Sequence, residues 1–578
     1  MHLFKWFVLV CLLCGFCDGA SATTWYVRAD GGTRYSAHAK EGQCDGKGDA
    51  AYPGDGVNRH CAFSDYRYLW DDRATYGATK WAIAGGDTVI LDNTRAWRVG
   101  FDQGKTANDP WCFGGNGAGG CTNPTIPSGT AAQPTRILGR HSRECSTAGK
   151  TDRKMLTQIF GGYGLGTVFN LGGAQYVEVE CLEITRHSQC ATHGDPRLPS
   201  DCQRYSGPTE DFDADGIGTD QKTHDVLLQD IWVHGHTDRG IIGPIGGLVT
   251  ARRVDVAFNA MAGWDFDDGR GTPSINGDLR LLDSIIEWNG CSQEYPVTHP
   301  NPAIACNSQS SGGYGDGIGT PANMGMDVTI DHSIFRYNTQ DGEDFGHVDT
   351  GSHRLRITNS ISYGNGGGQF KWGGNFTNVV FANNLVIANC MRMSKPIEGT
   401  PANFNAHLAD FCRAQDAISF NYRDGGVVLF DNNTILSYAP TTFDIQCWDK
   451  NCSASKLYFR NNIVVGVDNP STYSLGGRKG GAGGFYFAGF NGKTVREHNL
   501  FSGMRNVSCI ATEICADPRF VSLPRFTQES DLDHVDLHLS ANSPAKGTGV
   551  NLPDLHTDLA GQPRSEAARF DLGAYQSH

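Results

Sequence analysis

The stretch from 315 to 374 contains three short phrases, Asp316-Gly317-Ile318-Gly319, Asp341-Gly342-Glu343-Asp344 and Gln369-Phe370-Lys371-Trp372. Their central residues Ile318, Glu343 and Phe370 follow one another at intervals of 25 and 27 residues. A repeat of this length built from short strands is typical of a solenoid whose coils stack as parallel strands. The stretch therefore predicts that each phrase is the same strand on successive coils.

Side chains on such strands alternate between the two faces of the sheet. We expect Ile318, Glu343 and Phe370 to point into the solenoid. The residues expected on the outer face are Asp316, Asp341, Asp344 and Lys371. Because neighbouring strands lie roughly 4.8 Å apart, two or three coils would bring these carboxylates and the amine within roughly 10 Å of one another. The spacing therefore predicts a charged site.

The same repeat continues on both sides of this stretch. Pairs with an apolar second residue recur at Gly216-Ile217, Gly240-Ile241, Gly263-Trp264 and Ala417-Ile418. A second phrase recurs between such pairs, and its polar centres are Asp283, His332, Asn359, Asn383, Asn432 and Asn461. Because Asn tolerates left-handed backbone and bonds neighbouring backbone groups, this column predicts a stacked ladder in a bend, with His332 a member rather than a metal ligand. The fold class predicted is all-β, a right-handed parallel β-helix with caps at both ends.

The chain opens with Lys5, an apolar run over 6–16 and Ala20-Ser21-Ala22. This pattern predicts a signal peptide cleaved after Ala22, and hence a secreted or periplasmic protein with no membrane partner. Residues 23–164 are predicted to form an N-terminal cap and the first irregular coils. Residues 165–505 are predicted to form the β-helix, and residues 506–578 a C-terminal capping segment that covers otherwise unpaired strand edges.

Of the 19 cysteines, three precede Ala22, and an even number in an exported chain fits disulfides. Cys44 and Cys61 form a plausible local pair. Three insertions leave the repeat at the same point, and each is predicted to be closed by one disulfide: Cys190–Cys202, Cys291–Cys306 and Cys390–Cys412. Since insertions at equivalent corners would stack, we expect them to form a wall beside the charged face.

The net charge of −14 argues against a nucleic-acid partner. It also disfavours an acidic polymer, unless metal ions bridge the two.

The central stretch resembles polysaccharide lyase family 9, the pectate-lyase-like enzymes, on three features of roughly residues 210–470. These are Asp316-Gly317, then Asp341 and Asp344 one coil later, then Gln369-Phe370-Lys371-Trp372-Gly373-Gly374. The resemblance implies a calcium-dependent lyase that cleaves a pectate-like polyuronate, and we expect the protein to be a monomer. It also implies calcium ligands at Asp316, Asp341 and Asp344 and a catalytic base at Lys371.

The chain departs from the family pattern at two positions. Gln340 stands where the family has Asp; its oxygen can still bind calcium, but with less charge. Glu343 replaces an apolar residue, and we expect it either to swing outward towards the metal or substrate, or to sit protonated inside the stack. Asp265, one coil before Asp316, is predicted as an additional ligand.

The chemistry asks for the same residue types. Removing the proton next to a uronate carboxylate builds negative charge, which a hard dication on Asp oxygens can neutralise. An ordinary Lys is protonated near neutrality, so Lys371 would need a depressed pKa, which a nearby cation can supply. Basic side chains of the third insertion, Arg392, Lys395 and Arg413, are candidates for contacting substrate carboxylates.

Two other classes of function remain open. An inverting glycoside hydrolase on a β-helix would use the Asp and Glu cluster without a metal or a lysine base. A non-catalytic glycan-binding solenoid would require the Asp and Lys columns to be incidental.

Overall fold

The computed structural model describes residues 22–36, 40–70, 81–99, 123–161, 165–187, 215–267, 271–291, 315–388, 416–467, 483–523, 534–564 and 569–577. These ranges contain strands and two short 3-10 helices, Tyr66–Leu69 and Arg153–Met155, and no α-helix. None of their helices has the length and apolarity that crossing a membrane requires.

Ten strands of the described residues form one parallel sheet, here called the ten-strand sheet. In stacking order they are Thr167–Asn170, Asp215–Gly218, Ile241–Ile242, Trp264–Asp265, Ile318–Gly319, Glu343–Phe345, Phe370–Trp372, Asp416–Tyr422, Thr441–Cys447 and Gly483–Ala488. Each strand contributes one rung, so that the sheet runs along the solenoid and places neighbouring coils side by side.

The other strands of each coil belong to a second parallel sheet, here called the bent sheet because it has two arms. Three strands run through both arms: Gln175–Thr185, His224–His234 and Leu248–Ala257. The other strands of the first arm are Ile275–Leu282, Gly325–Asp331, His353–Thr358, Phe376–Ala382, Val427–Asp431, Lys456–Arg460 and Lys493–Glu497. The second arm contains Ile285–Glu287, Ile334–Arg336, Ile361–Tyr363, Leu385–Ala388, Thr434–Ser437, Ile463–Gly466, Leu500–Ser502 and Ile514–Cys515. The N-terminal strands of the same sheet are Thr24–Gly32, Thr88–Leu91, Trp97–Val99, Thr135–Gly139 and Thr157–Gly161.

Two small antiparallel pairs lie outside these sheets. Ser146–Thr147 pairs with Lys150–Thr151, and Phe520–Ser522 pairs with Asp536–Leu539. The C-terminal segment also packs along the side of the solenoid, because Asn383, Asn432 and Asn461 donate side-chain hydrogen bonds to carbonyl oxygens between 550 and 573.

The bend between the two arms is set by the predicted polar column. Its members have left-handed backbone, with φ between 50° and 57° at Asp283, His332, Asn359, Asn383, Asn432 and Asn461. His332 is a member of the bend and pairs with Asp331 at 2.8 Å, as the ladder interpretation predicted. The left-handed residue turns the strand through the corner without breaking the sheet.

The continuous buried ladder, however, is formed by the next residue of each coil. Ser360 N–H donates to Asn384 Oδ1, Asn384 N–H to Asn433 Oδ1, and Asn433 N–H to Asn462 Oδ1, each at 2.9 Å. The prediction therefore located the bend correctly. In the predicted column Asn383 Nδ2 donates to Asn359 Oδ1 at 3.3 Å and Asn461 Nδ2 to Asn432 Oδ1 at 3.0 Å, and the continuous ladder one residue later was missed. The left-handed residue turns its own side chain outward and directs the following one into the interior.

Most interior positions are filled by apolar residues that recur once per coil. On the bent sheet the rings of Phe381, Phe430 and Phe459 stack in sequence at centroid separations of 4.7 and 5.0 Å. On the ten-strand sheet, Ile217, Ile241, Trp264 and Ile318 are aligned in register and buried. The predicted all-β parallel β-helix is confirmed by this strand pairing.

Four disulfides join cysteines of the described residues: Cys44–Cys61, Cys145–Cys181, Cys447–Cys452 and Cys509–Cys515. The first of these confirms a predicted pair. Cys291 is also disulfide-bonded. The predicted partner Cys306 and the pairs Cys190–Cys202 and Cys390–Cys412 lie outside the described residues, so these pairings stay predictions.

Candidate active site

The three phrases of the central stretch occupy neighbouring strands of the ten-strand sheet in the predicted register. Ile318 pairs with Glu343, and Asp344 pairs with Lys371. The intervals of 25 and 27 residues are therefore one coil each. This register places Asp344 and Lys371 side by side on adjacent strands, with the Asp341 side chain close to the Lys371 amine.

The Lys371 amine lies between two carboxylates. Its Nζ is 2.5 Å from Asp344 Oδ2 and 3.7 Å from Asp341 Oδ2. The other oxygen of each carboxylate accepts a backbone hydrogen bond, from Gly346 N–H at 2.7 Å for Asp344 and from Gly368 N–H at 2.6 Å for Asp341. Each carboxylate is thus fixed by the backbone and presents its second oxygen to the amine.

Glycines make room for these carboxylates. A Cβ at Gly346 would lie 2.6 Å from Asp344 Oδ1 and 3.0 Å from the Lys371 Cε, and one at Gly367 would lie 2.0 Å from Asp341 Oδ1. A side chain at either position would displace the Asp side chain. Sequence reasoning missed both residues, although Gly366-Gly367-Gly368 is a visible signal in the sequence.

Asp316 completes the cluster from a buried position. It is 2% exposed, and its Oδ1 accepts a hydrogen bond of 2.9 Å from Asp341 N–H. Burial raises the pKa of Asp316 well above its usual range, and the negative charges of Asp341 and Asp344 raise it further, whereas Lys371 acts in the opposite direction. The raised pKa favours the neutral carboxyl at Asp316, whereas Asp341 and Asp344 are the carboxylates next to the Lys371 amine.

Lys371 itself is about one-third exposed, with a side-chain exposure of 36%. Burial acts to lower its pKa, but the Asp344 and Asp341 carboxylates, together with Asp316, outweigh burial and raise the pKa above its ordinary value. In this arrangement the amine is held as an ammonium. The depressed pKa expected of a catalytic base is not found while these carboxylates pair with the amine.

The donor set fits a hard divalent cation in its chemistry. Carboxylate oxygens are the ligands that calcium prefers. Among the described residues, the group whose ligand atoms all lie within 4.8 Å of one another is Glu183, His187 and His234. The donor oxygens of Asp316, Asp341 and Asp344 are therefore spread further apart, and the Lys371 ammonium lies next to two of them.

Gln340 is buried directly before this cluster. Its N–H donates to Gly315 O at 3.0 Å, and its carbonyl accepts from Gly367 N–H at 2.8 Å, so its backbone joins neighbouring coils. Its predicted role as a weak calcium ligand stays a prediction.

Asp265 lies in the predicted column but belongs to another cluster. It pairs in register with Gly319, next to Asp344, yet its Oδ2 accepts a 2.8 Å hydrogen bond from Arg239 Nε. Burial raises the pKa of Asp265 to about 6, although Arg239 acts against this. The expectation that Asp265 is an additional calcium ligand stays a prediction, and in this structure its carboxylate is bound by Arg239.

Glu343 points inward and is fully buried. Its two oxygens accept backbone hydrogen bonds from Phe345 N–H at 3.1 Å and Lys371 N–H at 3.3 Å. Burial, with a further contribution from Asp344, raises its pKa well above the usual range, which favours the neutral carboxyl. The prediction that Glu343 contacts substrate is wrong for this geometry, and the alternative of a protonated member of the stack agrees with it.

Two acidic residues beyond Lys371 extend the same sheet and were missed by sequence reasoning. Ser419 pairs with Lys371, and Asp444 follows on the next strand. Asp416 is half-buried, and burial together with Asp444 and Asp341 raises its pKa to about 7. Their positions follow from the repeat, since Ile418 had been aligned with Phe370. Arg392, Lys395 and Arg413 lie outside the described residues.

No protein-family model matches the sequence, and a search of curated proteins finds no match. The chain is similar to solved structures of pectate lyase Pel9A (12% identity, 97% of this chain and 98% of that one, TM-score 0.38) and of a rhamnogalacturonan lyase (10%, 87% and 91%, TM-score 0.40). It is also similar to the GH136 lacto-N-biosidase from Eubacterium ramulus (13%, 83% and 67%, TM-score 0.33).

Proposed function

We propose that this protein is a calcium-dependent polysaccharide lyase that cleaves a pectate-like polyuronate by β-elimination. The observation that carries the proposal is the position of the Lys371 amine, which is partly exposed between the Asp341 and Asp344 carboxylates, with the buried Asp316 carboxyl accepting a hydrogen bond from Asp341 N–H. In this proposal Asp316, Asp341 and Asp344 hold calcium, and Gln340 supplies a further oxygen donor. Lys371 acts as the base.

The reaction requires a base beside an acidic carbon. Lys371 would take the proton from C5 of the uronate, the C4–O4 bond would break as the C4–C5 double bond forms, and the leaving oxygen would take up a proton. When bound, calcium would supply positive charge that neutralises the substrate carboxylate. The partly exposed amine lies on the outer face of the sheet, where a polymer chain can reach it.

The protonation of Lys371 is coupled to the state of its neighbours. Asp344 and Asp341 stabilise the ammonium form, which cannot act as a base. Lys371 therefore becomes a base only when these two carboxylates are engaged elsewhere. Because the same carboxylates are the proposed calcium ligands, metal binding and base activation form a single event in this proposal.

The hydrolase alternative is supported by one specific observation. Asp416 has a pKa of about 7 and lies near Asp444, so the face beyond Lys371 offers a carboxyl that can carry a proton at neutral pH. Glu343 does not support this alternative, because it is fully buried. A non-catalytic solenoid that only binds an acidic glycan is the third possibility.

One assay separates these functions. Ultraviolet absorbance of the unsaturated product is followed on polygalacturonate, alginate and a glucuronan, with calcium and with a chelator. The lyase predicts calcium-dependent absorbance from at least one substrate, and its loss in Lys371→Ala. A matched control is Lys456→Ala, since Lys456 is exposed on the bent sheet. New reducing ends without absorbance would identify a hydrolase, and binding without cleavage a glycan-binding protein.

We further propose that the protein is exported, processed after Ala22 and active as a monomer on an acidic polysaccharide. The disulfides of the described residues support an oxidising compartment. N-terminal sequencing of the protein recovered from its native host tests the cleavage site, and light scattering tests the oligomeric state.

A further inference from the structure

Three ligand-type side chains meet on the second arm of the bent sheet, away from the ten-strand sheet. Glu183 lies on the strand Gln175–Thr185 and His234 at the end of the adjacent strand His224–His234. Thr185 pairs with His234, and the buried Ile184 pairs with Val233, so Glu183 and His234 share the outer face. His187 follows the first strand with left-handed backbone, at φ 54°.

The ligand atoms of these three side chains converge. His234 Nε2 is 2.9 Å and His187 Nε2 is 4.0 Å from the same oxygen, Glu183 Oε1. All three ligand atoms lie within 4.8 Å of one another. Two imidazoles and one carboxylate are a donor set that binds zinc-class divalent cations, with a remaining position for water.

The side-chain amide of Gln158 lies between Glu183 and His187. Its Nε2 donates to Glu183 Oε1 at 3.0 Å and lies 2.8 Å from His187 Nε2. With the amide as donor, His187 Nε2 is the acceptor and carries the lone pair that a metal needs. The amide therefore contacts two of the three ligand atoms, as a bound cation would.

The surroundings fix His234 and leave a route for an ion. His234 is fully buried, its ring stacks on Trp232 at a centroid separation of 3.6 Å, and its Nδ1 lies 3.5 Å from Thr185 Oγ1. A polar contact on the second ring nitrogen is the usual support of a metal-binding imidazole. His187 has a side-chain exposure of 40%, so the group opens to solvent on its side.

We propose that Glu183, His187 and His234 form a binding site for a zinc-class divalent cation, separate from the calcium site proposed at Asp316, Asp341 and Asp344. The ion would link Glu183 and His187, on and just after one strand, to His234 on the adjacent strand. It would therefore stabilise the bent sheet at these two coils. The proposal does not depend on the lyase activity, because its ligands lie on another sheet.

The test is a zinc titration of the mature full-length protein, first stripped with a chelator and then kept in excess calcium. We expect one saturating equivalent of zinc by calorimetry, and a higher melting temperature with zinc. His187→Ala should weaken zinc binding by at least about tenfold and abolish the shift in melting temperature. His60→Ala, an exposed histidine paired with Asp45, is the matched control and should bind zinc like the wild type.

Two further variants sharpen the result. Gln158→Ala removes the competing amide and should bind zinc at least as tightly as the wild type. Lys371→Ala should keep zinc binding intact, which separates this site from the proposed active site. The proposal is overturned if the wild type shows no saturable zinc binding, or if His187→Ala and the wild type bind zinc equally. His234→Ala is a further test if that variant folds. If it does not fold, the result for His187→Ala alone decides the outcome.

Discussion

Two clusters on the ten-strand sheet are built from the same kinds of charge, three aspartates and one basic residue. In the first, Arg239 donates from Nε to Asp265 and from Nη1 to Asp238, at 2.8 and 2.9 Å, and its backbone N–H donates to Asp215 at 3.0 Å. In the second, Lys371 makes one close contact, to Asp344, and a longer one to Asp341. The first cation is buried, and the second is partly exposed.

The difference between the clusters comes from the shape of the cation. A guanidinium has five donors in a fixed fork and can satisfy several carboxylates at once. An ammonium is a compact charge on a flexible stem, and that of Lys371 makes one close contact, to Asp344. The arginine cluster is therefore suited to holding two coils together, whereas we propose that the lysine cluster binds a further cation.

The largest expected effect is on catalysis. Lys371→Ala should reduce the lyase rate by about 10²–10⁴-fold, because a positioned base contributes that much. Lys371→Arg should be almost as inactive, since a guanidinium does not give up its proton. Activity is measured by product absorbance, with unchanged melting temperature as the control. Retention of a tenth of the activity in Lys371→Ala would rule out this base.

The second effect is on stability and concerns the other cluster. Arg239→Ala should lower the free energy of unfolding by about 3–5 kcal/mol, since it leaves the buried Asp238 and Asp265 carboxylates without their cation. Denaturant unfolding followed by circular dichroism measures the change. In the presence of calcium, Lys371→Ala should cost far less stability. Equal losses in the two variants would contradict the division between the clusters.

A third effect is expected on calcium affinity. Gln340→Asp restores a charge beside Asp341 and should tighten calcium binding on the order of tenfold, because carboxylate count sets the affinity of such sites. Calorimetry with and without an oligouronate measures the binding. A neutral comparison is Gln340→Asn, which adds no charge. An equal gain in both variants would exclude Gln340 from the calcium site.

The smallest effect is expected at Asp265. Because Arg239 binds its carboxylate, Asp265→Asn should change calcium affinity by less than about twofold, whereas Asp344→Asn should remove most of the binding. The same titration serves both variants. A large loss of calcium affinity in Asp265→Asn would return this residue to the calcium site and join the two clusters into one.

Much of the strand register could be predicted from the sequence. The columns through Ile318 and through His332 follow from a repeat that each coil must satisfy to bury its apolar residue and to turn the corner. The proximity of Asp344 and Lys371 follows from the same register. Periodicity gives the face and the rung of each residue, and this was enough to place the candidate site.

The rest depends on contacts that periodicity does not encode. Asp265 occupies the expected column, but its partner Arg239 comes from the turn before the previous strand. The Glu343 side chain was expected either on the outer face of the solenoid or in its interior. The interior position is stabilised by two backbone N–H groups, which reach its oxygens only in the folded coils. The continuous ladder one residue after the predicted column was missed because left-handed backbone directs the side chain that follows into the interior.

The register of the ten-strand sheet is independent of how much chain separates its strands. Phe370 pairs with Ile418 as closely as Ile318 pairs with Glu343, although 48 residues separate the former pair and 25 the latter. Length can therefore vary between rungs without moving the rungs themselves. For protein engineering, the chain between two rungs can therefore be lengthened or shortened while Asp344 and Lys371 remain neighbours.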